Sequence, residues 1–301
     1  MNILITGANG LLGQKLVLRL CTEANVVLFA TGRGPCRIRS ATGFTYLEAD
    51  LLDKSTLERL FEEVRPDCVI HTAAMTDVDA CERDPAACQL NNTDCVRLLT
   101  GLCNAKGIHF IHLSTDFVFD GRNGPYREED PIGPLSEYAR SKAAAEEVVR
   151  EAGIPWTIIR TMIIYGVTDD QQRSNVVLWT KRSLEEGKDI RVISDQYRGP
   201  TLAEDLANAC ATAALNTVTG LFHVSGREVL SILEIAQRTA RFFSLDEHHI
   251  SPVTTEELAQ AAKRPLRTGF IISKAEQELN YQPHSLEEGL EIVRSQLKGR
   301  Q

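Results

Sequence analysis

The stretch that decides the fold is residues 1–13, MNILITGANGLLG, in which a short β-prone run, Ile3–Thr6, meets three glycines at positions 7, 10 and 13 and then a helix-forming segment. Where a strand turns sharply into a helix, glycine lets the backbone bend and approach a diphosphate without a Cβ in the way. The helix N-terminus that follows offers unpaired N–H groups to anionic oxygen. The turn, with Gly7, Asn9, Gly10, Leu11, Leu12 and Gly13, is the candidate pyrophosphate site. Its spacing is G-x-x-G-x-x-G, a variant of the commoner dinucleotide fingerprint.

Working outward, β-rich runs alternate with helical segments. Strands are predicted at Val26–Thr31, Phe44–Leu47, Cys68–Thr72, His109–Ser114 and Thr157–Arg160, and helices at Leu11–Thr22, Ser55–Val64, Pro85–Ala105 and Ser136–Glu151. This alternation predicts an α/β fold, a doubly wound parallel sheet of Rossmann type. After Gly166 the rhythm changes to longer helices, at Asn175–Glu186, Leu202–Leu215, Leu230–Phe243, Thr254–Ala262 and Leu286–Leu297. The expected division is a dinucleotide-binding domain at 1–165 and 188–224, and a smaller, mostly helical substrate lobe at 166–187 and 225–301. Strands at Arg191–Ser194 and Leu221–Val224 are expected to rejoin the main sheet. The turn-rich Asp120–Pro134 segment is expected to shape a ligand cleft.

Composition narrows the function. The 301 residues carry 33 Lys and Arg against 41 Asp and Glu, a net charge of −8, which argues against nucleic acid or an anionic membrane as partner. No leader or membrane-spanning run is legible at the start. Eight cysteines include no C-x-x-C pair and no zinc-ligand spacing, so a reducing, cytoplasmic location without a metal is expected. Cys81, Cys88 and Cys95, seven apart, read as small apolar residues on a buried helical face.

Cofactor preference is read at the end of the second strand, where an acid would hold the ribose hydroxyl of NAD. Here the segment runs Ala30-Thr31-Gly32-Arg33, with Arg37 and Arg39 beyond it. Arg33 suits a 2′-phosphate, giving NADP as the expected cofactor and NAD as the alternative. Of six tyrosines only Tyr138 has a lysine four residues on, Lys142, which places both on one helical face. An ammonium beside a phenol is expected to lower its pKa toward neutrality. Ser114, Thr115 and Asp116 follow an apolar strand at the edge where open α/β sheets collect ligands. Asn91, on a helix upstream, is a candidate to organise a proton-relay water.

The ordered motifs TGANGLLG (6–13), DLLD (50–53), PDCVIHTAAMTDVDACE (66–82), LSTDFVFDG (113–121), PYREEDP (125–131), PLSEYARSK (134–142), RTMIIYG (160–166) and DQYRGPT (195–201) resemble the extended short-chain dehydrogenase/reductase family. Within it they are most similar to the dTDP-4-dehydrorhamnose reductases of dTDP-rhamnose biosynthesis. The resemblance implies an NAD(P)H-dependent oxidoreductase acting on a nucleotide-linked 4-keto-6-deoxy sugar. It implies that Tyr138 protonates the keto oxygen, Lys142 holds the nicotinamide ribose and Thr115 hydrogen-bonds the carbonyl. Asp50 and Leu51 would lie near adenine, Ala73 and Ala74 along the cofactor, and Thr76, Val78 and Asp116 near the sugar.

Three positions depart from the reductase pattern. Ile163 stands where a tryptophan is usual, Phe117 where a tyrosine is, and Arg198 where a glycine is. Arg198 is a candidate for the substrate diphosphate, with a structural salt bridge as its alternative. The chain is also similar to the regulatory β subunit of methionine adenosyltransferase, which implies an NADP-binding regulatory role instead. Epimerase or dehydratase chemistry is a third possibility within the family, since Asp116 follows Thr115. A homodimer is compatible with all three.

Overall fold

The computed structural model describes residues 1–170 and 174–299. Residues 171–173 and 300–301, which fall in the expected substrate lobe, lie outside the described residues. Six strands, β1 (Asn2–Thr6), β2 (Val27–Gly32), β3 (Phe44–Glu48), β4 (Cys68–His71), β5 (His109–Thr115) and β6 (Trp156–Thr161), join the Gly220–His223 strand in one seven-stranded sheet. Its order is Gly220–His223, β6, β5, β4, β1, β2, β3, and every neighbouring pair is parallel. The strand order turns outward from β1, so β1 and β4 diverge at the point where such sheets bind ligands.

Both faces of this sheet are covered, which explains why its central strands read as continuous apolar runs. On one side α1 (Leu11–Leu20) packs with α8 (Ala203–Leu215) through Leu16, Val17, Leu206 and Cys210. On the other lie α2 (Lys54–Val64), α5 (Cys95–Asn104) and α6 (Glu137–Glu151), where Leu57, Phe61, Val96, Leu99, Ala145 and Val149 form a second core layer.

Between β4 and β5 stand α3 (Val78–Arg83) and α4 (Pro85–Gln89), and α4 continues into α5 through a π-helical segment, Leu90–Asp94. One uninterrupted helix was expected there. The wider turn changes the register, so that Asn91 faces the cavity described below while Asn92 is buried against Ser141 and Met75.

The later elements are α7 (Val176–Glu185), α9 (Ile232–Phe242), α10 (Thr255–Leu258), α11 (Ser273–Glu278) and α12 (Leu286–Lys298). Val177, Leu178, Ile235, Leu290 and Val293 share one apolar cluster with Tyr165 and Leu202. Three sequence expectations change here. The Ile190–Ile193 strand pairs with Ile250–Val253 instead of the main sheet, because Val192, Ile190 and Ile250 bury against Ala236 and Ala240 of α9. The helix expected at Thr254–Ala262 ends at Leu258, where Ala259 turns left-handed at φ +46°. The Asp120–Pro134 segment does not line the cavity. Instead Tyr126 pairs with the backbone of Gly269 and Ile271 and stacks on Phe119, pinning the C-terminal segment to the sheet. Among the described residues no helix is long and apolar enough to cross a membrane.

Candidate active site

The carboxyl ends of β1, β4 and β5 open into a cavity of about 780 Å³, within the range of small-molecule and cofactor sites. At its floor the β1–α1 turn is built by close approach. Gly7 adopts φ +71°, and a Cβ there would stand 2.6 Å from Ala73 N; at Gly13 it would stand 2.4 Å from Gly7 O. The helix start at Gly10 has no side-chain cap, so its first N–H groups remain available to an anion. Asn9 staples this turn to the arginine loop. Its amide donates to Pro35 O (3.1 Å) and Tyr46 Oη (2.9 Å) and accepts from Arg37 N (2.9 Å). Arg33 is exposed on the cavity rim, and Arg37 pairs with Asp170 at 3.4 Å. Asp50 and Leu51 line the adjoining wall, and Ala73 and Ala74 run from β4 toward the centre. These groups make an extended cradle, glycine-floored at one end and cationic beside β2, whose shape and chemistry fit a dinucleotide.

Thr115 ends β5, and Tyr138 and Lys142 project from α6, which starts at Ser136 with the Ser136 hydroxyl accepting from Ala139 N. All three line the same cavity, with Asn91, Thr76 and Val78 around them. Thr115 Oγ1 accepts from Phe117 N and donates to Asp116 Oδ1, each at 3.2 Å. The Phe117 ring meets the Tyr138 ring edge-on, with 5.8 Å between centroids.

The electrostatics differ from the sequence expectation. Burial pushes the Tyr138 phenol above its usual range, with the Thr115 hydrogen bond opposing and the Asp116 charge adding to the rise. Lys142 does not reverse this, because its ammonium points to Leu113 O (2.6 Å) and His112 Nε2 (3.2 Å). Burial pulls Lys142 itself down to about 8, against the pull of Glu146.

Arg198 forms the salt bridge of its alternative reading. It is 3 % exposed and pairs with Asp116 through Nε at 3.0 Å, while its Nη1 donates to Tyr197 O and Leu266 O and its Nη2 to Pro265 O. The guanidinium also lies over the Phe117 ring. These contacts engage the guanidinium within the protein, although Arg198 and Asp116 both line the cavity. Asp116 is held equally firmly, accepting from Thr268 Oγ1 at 2.6 Å. Burial pushes this carboxyl up and this guanidinium down, as befits an ion pair removed from water.

Several site residues had no local signal. His112 reads as an ordinary strand residue, and Arg264, which lines the cavity and grips Asp79 by two contacts at 2.8 and 3.1 Å, sits in a loop 185 residues away in sequence. Gln196 and Asn175 reach the same wall from the later elements. Cys95 also borders the cavity, but burial pushes its thiol up to about 12, so it acts as packing. No group of three or more metal-ligating side chains occurs among the described residues.

The chain is similar to known proteins over nearly its whole length. Residues 1–298 match the RmlD substrate binding domain. A dTDP-4-dehydrorhamnose reductase of Burkholderia thailandensis is 35% identical over 227 residues, covering 74% of this chain and 70% of that protein. Methionine adenosyltransferase 2 subunit beta of Bos taurus is 31% identical over 279 residues, covering 91% and 81%. Among solved structures, dTDP-4-dehydrorhamnose reductase of Bacillus anthracis in complex with NADP superposes with a TM-score of 0.83 at 28% identity, covering 98% of this chain and 99% of that one.

Proposed function

The chain belongs to the RmlD substrate binding domain family, and from that premise we propose that it is an NADPH-dependent reductase of a nucleotide-linked 4-keto-6-deoxy sugar. The observation that carries the reading is the convergence of Thr115, Tyr138 and Lys142 on one cavity whose other end is the glycine-floored turn. NADPH, when bound, supplies the hydride. The residues of the chain do the rest. Thr115 and Tyr138 hydrogen-bond the keto oxygen, and Tyr138 delivers the proton as negative charge develops there. Lys142 holds the nicotinamide ribose, and Asn91 stands one step behind as a water-organising amide. Asp50 and Leu51 border the adenine, Arg33 the 2′-phosphate, and Thr76 and Val78 the sugar. Eight unpaired cysteines support a cytoplasmic setting.

The test is loss of nicotinamide absorbance when the purified protein, NADPH and dTDP-4-dehydrorhamnose are combined, with product identity read by NMR. Reduction to the 4-hydroxy sugar supports the reading; water loss or stereochemical inversion would place the protein among the dehydratases or epimerases of the wider family.

A second reading, a regulatory protein that binds NADP without turning over a sugar, is favoured by one observation. Arg198, which stands where the reductase pattern has glycine, pairs with Asp116 at 3.0 Å, and both line the cavity. NADPH binding without turnover of any keto sugar nucleotide, together with tight association with an adenosyltransferase, would decide for it.

A further inference from the structure

Lys142 and His112 are both sealed from solvent, at 3 % and 0 % exposure. An ammonium has three N–H bonds. Two are directed at β5, one to Leu113 O at 2.6 Å and one to His112 Nε2 at 3.2 Å, which leaves the third for the cavity that Lys142 lines. We propose that His112 is a positioning residue for Lys142, a neutral clamp that aims the ammonium without cancelling its charge. This rests on the reductase reading above and deepens it by assigning a further residue to the same site.

The neutrality of the clamp is its purpose. A carboxylate at position 112 would hold Lys142 equally well, but the paired charges would leave a weaker donor for the ribose. Every other group facing Lys142 is arranged consistently. Glu146, one turn along α6, has its charge offset by Arg160 at 2.7 and 2.8 Å and by Arg150 at 3.0 Å. From α4 the Cys88 thiol donates to Ser141 Oγ, and from α5 Cys95 is a buried thiol. On β4, His71 stacks on His112 at 5.8 Å, with its own Nδ1 against Thr6 Oγ1 at 2.7 Å. Burial holds His71 down at about 3 and His112 well below its usual value, so both rings are uncharged at physiological pH. Tyr138 stands on the same face of α6 as Lys142. For Lys142 to donate to Nε2, the His112 proton must sit on Nδ1, and that nitrogen has no partner among the described residues. Stacking on His71 therefore fixes the ring plane, and Lys142 fixes its tautomer.

Three measurements on the full chain test this. In the wild type, ¹⁵N NMR of the histidine rings should show His112 protonated on Nδ1 alone; a proton on Nε2 overturns the proposal without any substitution. In the cofactor-free protein, ¹³C-lysine NMR should follow Lys142, and His112→Leu should lower its titration by about one unit, because the charged form loses an acceptor. His112→Gln, whose amide oxygen reaches the Nε2 position, should restore it. NADPH affinity should weaken about tenfold in His112→Leu and stay within about twofold of wild type in His112→Gln. An unmoved Lys142 titration in a folded His112→Leu, or equal defects in the two variants, would sink the clamp. Wild type that binds NADPH but reduces no keto sugar would overturn the reductase reading instead, and the cofactor-free titration would still judge His112.

Discussion

Arg160 of β6 and Glu146 of α6 form a two-point ion pair in the interior, with Nε and Nη2 at 2.8 and 2.7 Å from the two carboxylate oxygens and exposures of 2 % and 0 %. Ser114, immediately before Thr115, donates to the same carboxylate at 2.5 Å. The strand that carries Thr115 and the helix that carries Lys142 are thus tied beneath the site. Truncating one partner leaves the other as an uncompensated buried charge, so Glu146→Ala should destabilise the protein by about 3–5 kcal/mol. Urea denaturation should show it as a lowered midpoint, while the double variant Glu146→Leu with Arg160→Met recovers most of the loss.

Tyr138→Phe removes the proton donor but little volume. It should lower kcat by about 10²–10⁴-fold and leave NADPH affinity within a few-fold, as read by steady-state kinetics beside fluorescence titration. Full activity in this variant would remove Tyr138 from the chemistry.

Arg33 is the exposed cation on the rim beside β2. A charge-assisted hydrogen bond to a 2′-phosphate contributes about 1.5–3 kcal/mol, so Arg33→Ala should weaken NADPH binding by about ten- to a hundredfold and leave NADH binding unchanged. Calorimetric titration of both cofactors checks the difference.

Arg198 and Asp116 should behave as a unit. Either Arg198→Met or Asp116→Asn alone should cost about 3–5 kcal/mol, whereas the double variant should cost clearly less than the sum. Additive losses in a double-mutant cycle would mean that the pair does not act as drawn.

Four buried histidines set the acid limit of stability. Burial holds His71 and His223 down at about 3, His109 at about 4, and His112 well below its usual value. Below about pH 6.5 the unfolded chain takes up protons that these folded rings refuse. Stability should therefore fall as the pH drops from about 6.5 toward 4, with a slope of about 1.4 kcal/mol per pH unit for each histidine. Glu146, which burial raises but the Arg160 and Ser114 contacts hold below its usual value overall, adds a further loss at lower pH as its carboxylate is protonated. Denaturation midpoints across this range give the slope, and a flat profile would contradict it.

The parallel sheet was legible because each of its elements announces itself locally. Apolar β-prone runs separated by 3/4-spaced helices need only short windows, and the six strands read from them fall within two residues of those observed. The β1–α1 turn was legible for a similar reason, since only glycine tolerates the approach of the Ala73 amide nitrogen and the Gly7 carbonyl oxygen seen there. The Tyr138–Lys142 spacing placed both side chains on one helical face, but the expected effect on the phenol did not follow. Spacing along a helix says nothing about what lies on the facing strand, and there Leu113 and His112 take the ammonium.

The later elements were read less well, because their partners are remote. The Ile190–Ile193 run carries no mark that selects Ile250–Val253 over the main sheet. Arg198 carries no mark that selects Asp116, Tyr197, Pro265 and Leu266 over a ligand.

By itself, then, the order of residues determined the layered α/β architecture and the glycine turn, since these follow from short-range periodicity and backbone geometry. Only the tertiary structure decided how the candidate side chains are engaged. Burial and charge pairing depend on atoms that only folding brings together, and it is their desolvation and partners that raise Tyr138, turn Lys142 toward Leu113 and His112, and pair Arg198 with Asp116.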